Sequence, residues 1–287
     1  MKTRIISGIV MAVIVASVLA AGMLWNPVVI AIFVGLLAAG AVYELVHNVA
    51  AVKSKAAWIG ACVYAFLATF SVMQPIKGAE ALDTAAQHDM LQSMPMMFKL
   101  FAVLTVVYFV YSVVMVLKNH KDMSLGAIGM LCAMPIPVIA AFSCLGNVIN
   151  HENGLYYLLL VFNFSSICDM GAYFVGVTMG KHKLCPEISP KKTVEGAIGG
   201  IVSSIIFAIV FMFAFHHTEK MIPTLILTIP LCIIGMMGDL FASSIKRSVG
   251  LKDYSNLIPG HGGILDRVDS VLLIAPVLYL FVSFGVL

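Results

Sequence analysis

Long apolar runs alternate with short polar links along this chain. Nine runs stand out, at residues 5–25, 27–46, 56–76, 96–117, 123–145, 154–180, 195–215, 221–245 and 269–287. At about 1.5 Å per residue, a run of this kind crosses the roughly 30 Å of hydrocarbon in a bilayer. The runs are continuous rather than alternating, which selects helices over barrel strands as the spanning form. The pattern predicts an all-α polytopic membrane protein with about nine transmembrane helices. It reads as a single transmembrane domain, with N-terminal helices over 1–150 and a second half over 151–287 that carries the chemistry. No internal repeat and no separate soluble domain is visible. The first run follows Lys2 and Arg4 and is longer than the apolar core of a secretion signal. A second run follows at once, so the first is read as an uncleaved helix.

Composition agrees with this picture. Only 11% of the residues are charged, against about 25% in a soluble domain. The net charge of +3 gives no reason to expect a nucleic-acid partner. The six cysteines (Cys62, Cys132, Cys144, Cys168, Cys185 and Cys232) form no CxxC pair and are read as reduced packing residues. The positions of the basic residues are more informative. With the N-terminus in the cytosol, all of the 17 Lys and Arg residues except Lys77, Lys99 and Lys220 fall on the cytosolic side. The opposite loop, 77–95, is acidic, with Glu80, Asp83 and Asp89. An odd number of spans puts the C-terminus outside.

Polar residues gather beyond residue 160, in three places. In span six, Ser165, Asp169 and Tyr173 follow one another at i, i+4 spacing and are expected to share a helix face. An ionisable residue inside a span is expensive, so Asp169 either marks a functional cavity or ties helices together. The second place is the loop 181–196, which two prolines and four lysines make irregular and basic and which runs through Ser189, Lys191, Lys192, Thr193 and Glu195. Its lysines suit phosphate as point charges, and Thr193 is placed to cap the next helix and make an anion site. The alternative is a loop whose lysines only set orientation.

The third place runs from 238 to 270. Asp239 and Ser243 are four residues apart, with Lys246 and Arg247 beyond them. Lys252, His261, Gly262, Gly263, Asp266, Arg267 and Asp269 follow. Clustered carboxylates repel unless a positive charge sits between them. Mg²⁺ suits one or two carboxylates completed by substrate phosphates. The glycines allow close approach of backbone to a ligand, and His261 reads as a phosphate donor or a partner for an Asp. Individually, the bland readings also stand: Asp266 and Asp269 favouring a helix dipole, Lys246 and Arg267 snorkelling, and His261 without a role.

These residues resemble the signature of the phosphatidate cytidylyltransferases, also called CDP-diacylglycerol synthases. The match runs through Ser243-x-Ile245-Lys246-Arg247, Lys252-Asp253, Pro259-Gly260-His261-Gly262-Gly263 and Asp266-Arg267-Val268-Asp269. The ISPKKTVEG stretch and the Asp169–Tyr173 segment look like that family too. The resemblance is firm over roughly 160–287 and general before that. It implies transfer of CMP from CTP to phosphatidic acid, giving CDP-diacylglycerol and pyrophosphate in phospholipid biosynthesis. It implies Mg²⁺ at Asp239, Asp266 and Asp269, with K⁺ as a second cation. Lys246, Arg247 and His261 would share the catalytic work. Asp169, Tyr173, Ser189, Lys191, Lys192, Thr193, Ser243, Lys252, Gly262, Gly263 and Arg267 would bind substrate. The implied partners are CTP, phosphatidic acid, the bilayer and a second copy in a homodimer.

A CTP-dependent polyprenol kinase is the rival enzyme, and the signature speaks against it. A CDP-alcohol phosphotransferase would need a DGxxAR pattern that is absent. A transporter using Asp169 and Asp239 would usually show duplicated halves or paired broken spans. The near absence of residues ahead of the first run adds an expectation of a bacterial plasma membrane, with the active site cytosolic.

Overall fold

The computed structural model describes residues 2–73 and 84–287, with side chains over 6–73 and 99–287. Within these residues, eight helices are long and apolar enough to cross a membrane, and a ninth is shorter. The protein is an all-α polytopic membrane protein. The side chains of the acidic stretch 77–95 lie outside the described residues.

The chain folds as two compact units. The first contains residues 1–152 and 253–267, and the second contains 153–252 and 268–287. The first boundary falls at 152/153. The signature segment, however, is shared: residues 253–267 belong to the N-terminal unit.

The N-terminal unit contains α1 (Lys2–Leu24), α2 (Val28–Tyr43), α3 (Lys55–Val72), α4 (Thr84–Asn119), α5 (Leu125–Ala133) and α6 (Pro135–Asn150). Helix α2 continues as a π-helical turn over Glu44–Val49. Helices α5 and α6 form one span interrupted at Met134, and the missing N–H of Pro135 is harmless at a helix start. The core of α2 and α3 is lined with small residues: Ala38, Ala41, Ala57, Ala61, Ala65 and Ala68 are all buried. Lipid tails are as apolar as leucine, so helices gain by close backbone approach, which small side chains permit. Tyr64 and Tyr108 stack at 4.2 Å between α3 and α4.

The second unit contains α7 (Gly154–Phe162), a π-helical turn at Asn163–Ile167, α8 (Cys168–Met179), β1 (Lys183–Cys185), β2 (Ser189–Thr193), α9 (Val194–Ala214), α10 (Met221–Ser248) and α12 (Val271–Ser283). The four-residue α11 (Leu265–Val268) lies where the two units meet along the chain. Helices α8 and α9 pack through glycines. A Cβ at Gly171 would meet the Ser203 side chain, one at Gly199 would meet Val175, and one at Gly200 would meet Cys168. Asn163 and Ser204 bond reciprocally between the π turn and α9, amide to carbonyl at 2.9 Å and hydroxyl to carbonyl at 3.2 Å.

Three local expectations change. The loop 181–196 is not irregular, because β1 and β2 pair antiparallel in it, Lys183 with Thr193 and Cys185 with Ser189. The final helix covers 271–283 instead of 269–287, about 20 Å at the usual rise. The expected stripe of Ser165, Asp169 and Tyr173 is broken. Ser165 is buried and donates to the Val161 carbonyl, whereas Asp169 and Tyr173 are exposed. The π turn just before Asp169 advances the helix by an extra residue, so i, i+4 neighbours across it no longer share a face. All six cysteines are free thiols.

Candidate active site

In the second unit, three stretches of chain bring their charged residues together. Thr193 closes the β-hairpin and caps α9, its hydroxyl accepting from the Gly196 N–H at 3.2 Å. Glu195, in the first turn, accepts from the Lys181 and His182 backbone N–H groups and contacts the His182 ring at 2.6 Å. The hairpin is therefore fastened at its base to the start of α9. From it, Lys192 reaches Asp239 on α10, with Nζ 2.5 Å from Oδ2.

Asp239 has further company. Ser243, one turn along α10, donates to its Oδ1 at 3.4 Å. The Asp269 carboxyl, just before α12, is in hydrogen-bonding contact with it. Lys246, a buried lysine, interacts electrostatically with both carboxyls. Asp169 on α8 lies within electrostatic reach of Lys192 and Asp239. The close approach of α10 to residue 269 depends on Gly238, where a Cβ would come 2.8 Å from the Asp269 carbonyl oxygen.

Three carboxyls thus gather around two ammonium groups. Two carboxyls in contact share a proton or hold a cation between them, because like charges that close repel. Among the described residues, no group of three or more His, Cys, Asp or Glu side chains converges as a complete metal cage. The Asp239–Asp269 pair does fit Mg²⁺, which is held by one or two carboxylates and completes its shell with water and phosphate oxygens.

The N-terminal unit holds the middle of the signature segment. His261 Nδ1 lies 2.7 Å from the Ser7 hydroxyl on α1. Asp266 Oδ2 accepts from the backbone N–H of Tyr254 at 2.8 Å and of Gly263 at 2.9 Å. Gly262 has φ +85°, a conformation that favours glycine, and any Cβ there would press on Asp266 Oδ2. Arg267 is exposed.

The remaining basic residues of the candidate set, Arg247, Lys252 and Lys191, are exposed. Arg247 donates to the Leu251 carbonyl at 2.8 Å. Ser189 begins β2 and is half-buried.

Of the residues singled out from the sequence, the second unit therefore gathers Asp169, Lys192, Asp239, Ser243, Lys246 and Asp269. His261, Gly262, Gly263, Asp266 and Arg267 lie in the other unit. The sequence reading missed Glu44, which is fully buried and accepts from Ser255, Ile264 and Leu265. A signal was available, because Glu44 is the only acidic residue in the run 27–46 and an ionisable group in a span calls for a partner.

Comparison with known proteins narrows what such a site serves. The model of the cytidylyltransferase family matches residues 2–284. The phosphatidate cytidylyltransferase of Staphylococcus haemolyticus (strain JCSC1435) is 43% identical over 127 residues, 44% of this chain and 49% of that protein. The protein of the same name from Bacillus subtilis (strain 168) is 41% identical over 132 residues, 46% of this chain and 49% of that one. That of Staphylococcus aureus (strain COL) is 41% identical over 127 residues, again 44% and 49%. The chain spans about half the length of the curated relatives it matches. Since the family match runs through both units and every residue of the charged cluster, the chain belongs to the cytidylyltransferase family.

Proposed function

We propose that this protein transfers CMP from CTP to phosphatidic acid, releasing pyrophosphate and leaving CDP-diacylglycerol in the membrane. The observation that carries this reading is the Asp239–Asp269 carboxyl pair, flanked by Lys192 and Lys246 in a helical membrane protein of the cytidylyltransferase family. The names of the relatives from Staphylococcus and Bacillus supply the lipid substrate.

A phosphate oxygen of phosphatidic acid attacks the α-phosphorus of CTP. The new P–O bond forms as the bond from the α-phosphorus to the bridging oxygen breaks, and that electron pair leaves with pyrophosphate. The attacking oxygen is already anionic, so no general base is needed and no proton has to move. Catalysis then rests on holding two polyanions together and neutralising the charge that develops on the leaving group. Lys192 and Lys246 supply positive charge beside the carboxyl pair. Thr193 and the hairpin hold Lys192 in place through the start of α9. Ser243 orients Asp239. Mg²⁺ held by Asp239 and Asp269 would act as a Lewis acid on the triphosphate and bring the reactants into register; K⁺ is the second cation proposed. Asp266, expected as a third ligand, commits Oδ2 to the loop backbone, and we assign it the ordering of that loop. In this reading the active site faces the cytosol of a bacterial plasma membrane, where CTP is available; the bias of basic residues toward one set of links supports that orientation.

The test uses purified protein in lipid micelles with Mg²⁺, phosphatidic acid and CTP labelled separately at the α and γ phosphates. The expected result is α label in the lipid and γ label in pyrophosphate. If γ label enters an added polyprenol instead, the protein is a kinase and the substrate reading is wrong.

A further inference from the structure

We propose that Glu44 is a positioning residue that holds the 253–267 loop in one conformation, an assignment whose catalytic consequence rests on the cytidylyltransfer reading above. The observations all lie within the N-terminal unit. Glu44 is 0% exposed, at the point where α2 turns π-helical. Its Oε1 accepts from the Ser255 hydroxyl at 2.6 Å and from the Ile264 N–H at 2.8 Å. Its Oε2 accepts from the Leu265 N–H at 2.8 Å. One carboxylate thus ties both ends of the loop to α2. Four residues along, Asn48 Nδ2 donates to the Tyr254 carbonyl at 2.8 Å. Tyr254 is held from its other side by Asp266, which also takes the Gly263 N–H.

The fit is close. A Cβ at Gly263 would lie 2.4 Å from Glu44 Oε1, and one at Gly40 would lie 2.3 Å from Ile264 Cδ1. A buried carboxylate is tolerated where hydrogen bonds satisfy its charged form, and three donors do so here. The donors are the loop's own backbone and hydroxyl, so the Glu44 oxygens keep these partners only while the loop is seated. The side chain has no need to touch substrate. It sets where His261, Asp266 and Arg267 are presented.

Glu44→Gln is the first test. It keeps the shape but turns an NH₂ toward a backbone N–H. Two readouts are taken beside the wild type: labelled CMP transfer, and amide hydrogen exchange of peptides covering 254–265 and, as a control, α9. The expected result is a fall in kcat of between about 10- and 100-fold, with KM for CTP changed less than about threefold. Exchange in 254–265 should rise about tenfold while α9 is unchanged. A variant with wild-type kcat and loop exchange overturns the inference. So does one whose exchange rises equally in α9, because that is general destabilisation. If Glu44→Gln does not yield folded protein, Gly263→Ala displaces the same side chain without replacing it, and the same results decide. If the wild type itself transfers no CMP, the functional reading fails, and the exchange comparison still decides whether Glu44 holds the loop.

Discussion

Carboxylates do different work in the two units. In the N-terminal unit, Glu44 and Asp266 accept from backbone N–H groups of one loop, and Glu44 from a serine as well. In the second unit, Asp239 faces Lys192, Ser243 and another carboxyl. On the reading proposed above, the first kind orders the loop, and the second kind, set against a lysine and a second carboxyl, holds a cation. The lesson is that residue type and spacing nominate an acidic residue, while its partners decide its role.

Each experiment that follows tests that difference. Chelating divalent cations should abolish CMP transfer, and restoring Mg²⁺ should recover it; activity that survives chelation removes the cation from the second unit. Asp239→Asn should lower kcat by about a thousandfold, with the protein still monodisperse and folded. Lys192→Met should lower it by about a hundredfold, since it strips the positive partner from a carboxylate that is only a quarter exposed. Asp266→Asn should cost roughly tenfold, together with faster proteolysis within 254–263. A thousandfold loss at Asp266 with an intact loop would break the comparison and make Asp266 a member of the chemical cluster. The smallest effect is expected from Thr193→Ala, which loses the α9 cap. It should destabilise by about 1 kcal/mol, seen as a modest fall in Tm, with a weaker hold on Lys192 read as a small rise in KM.

The spans were the most legible part of the protein. The sequence predicts 27–46, 56–76 and 195–215, and the helices run Val28–Val49, Lys55–Val72 and Val194–Ala214. Hydrocarbon leaves no alternative to internal hydrogen bonding, so the length of an apolar run dictates a helix locally. The cap at Thr193 was legible for the same reason, because its partner is three residues away. The hairpin at 183–193 was not. Its prolines and lysines carry no alternating apolar pattern, and pairing was decided by Glu195 fastening its base. The stripe around Asp169 failed because a π turn cannot be seen in periodicity.

By itself, the sequence determined that this chain crosses a membrane many times and that the polar residues of its candidate site gather in three stretches beyond residue 160. Both are properties of short stretches, set by the transfer of side chains and backbone out of water. Only the tertiary structure decided which charge meets which partner. Glu44 reaches Ser255 across 211 residues of chain, and Lys192 reaches Asp239 from a hairpin that the composition does not announce. Hydrogen bonds and ion pairs act over a few ångströms in space, whatever the distance along the chain. No local pattern therefore encoded these pairings.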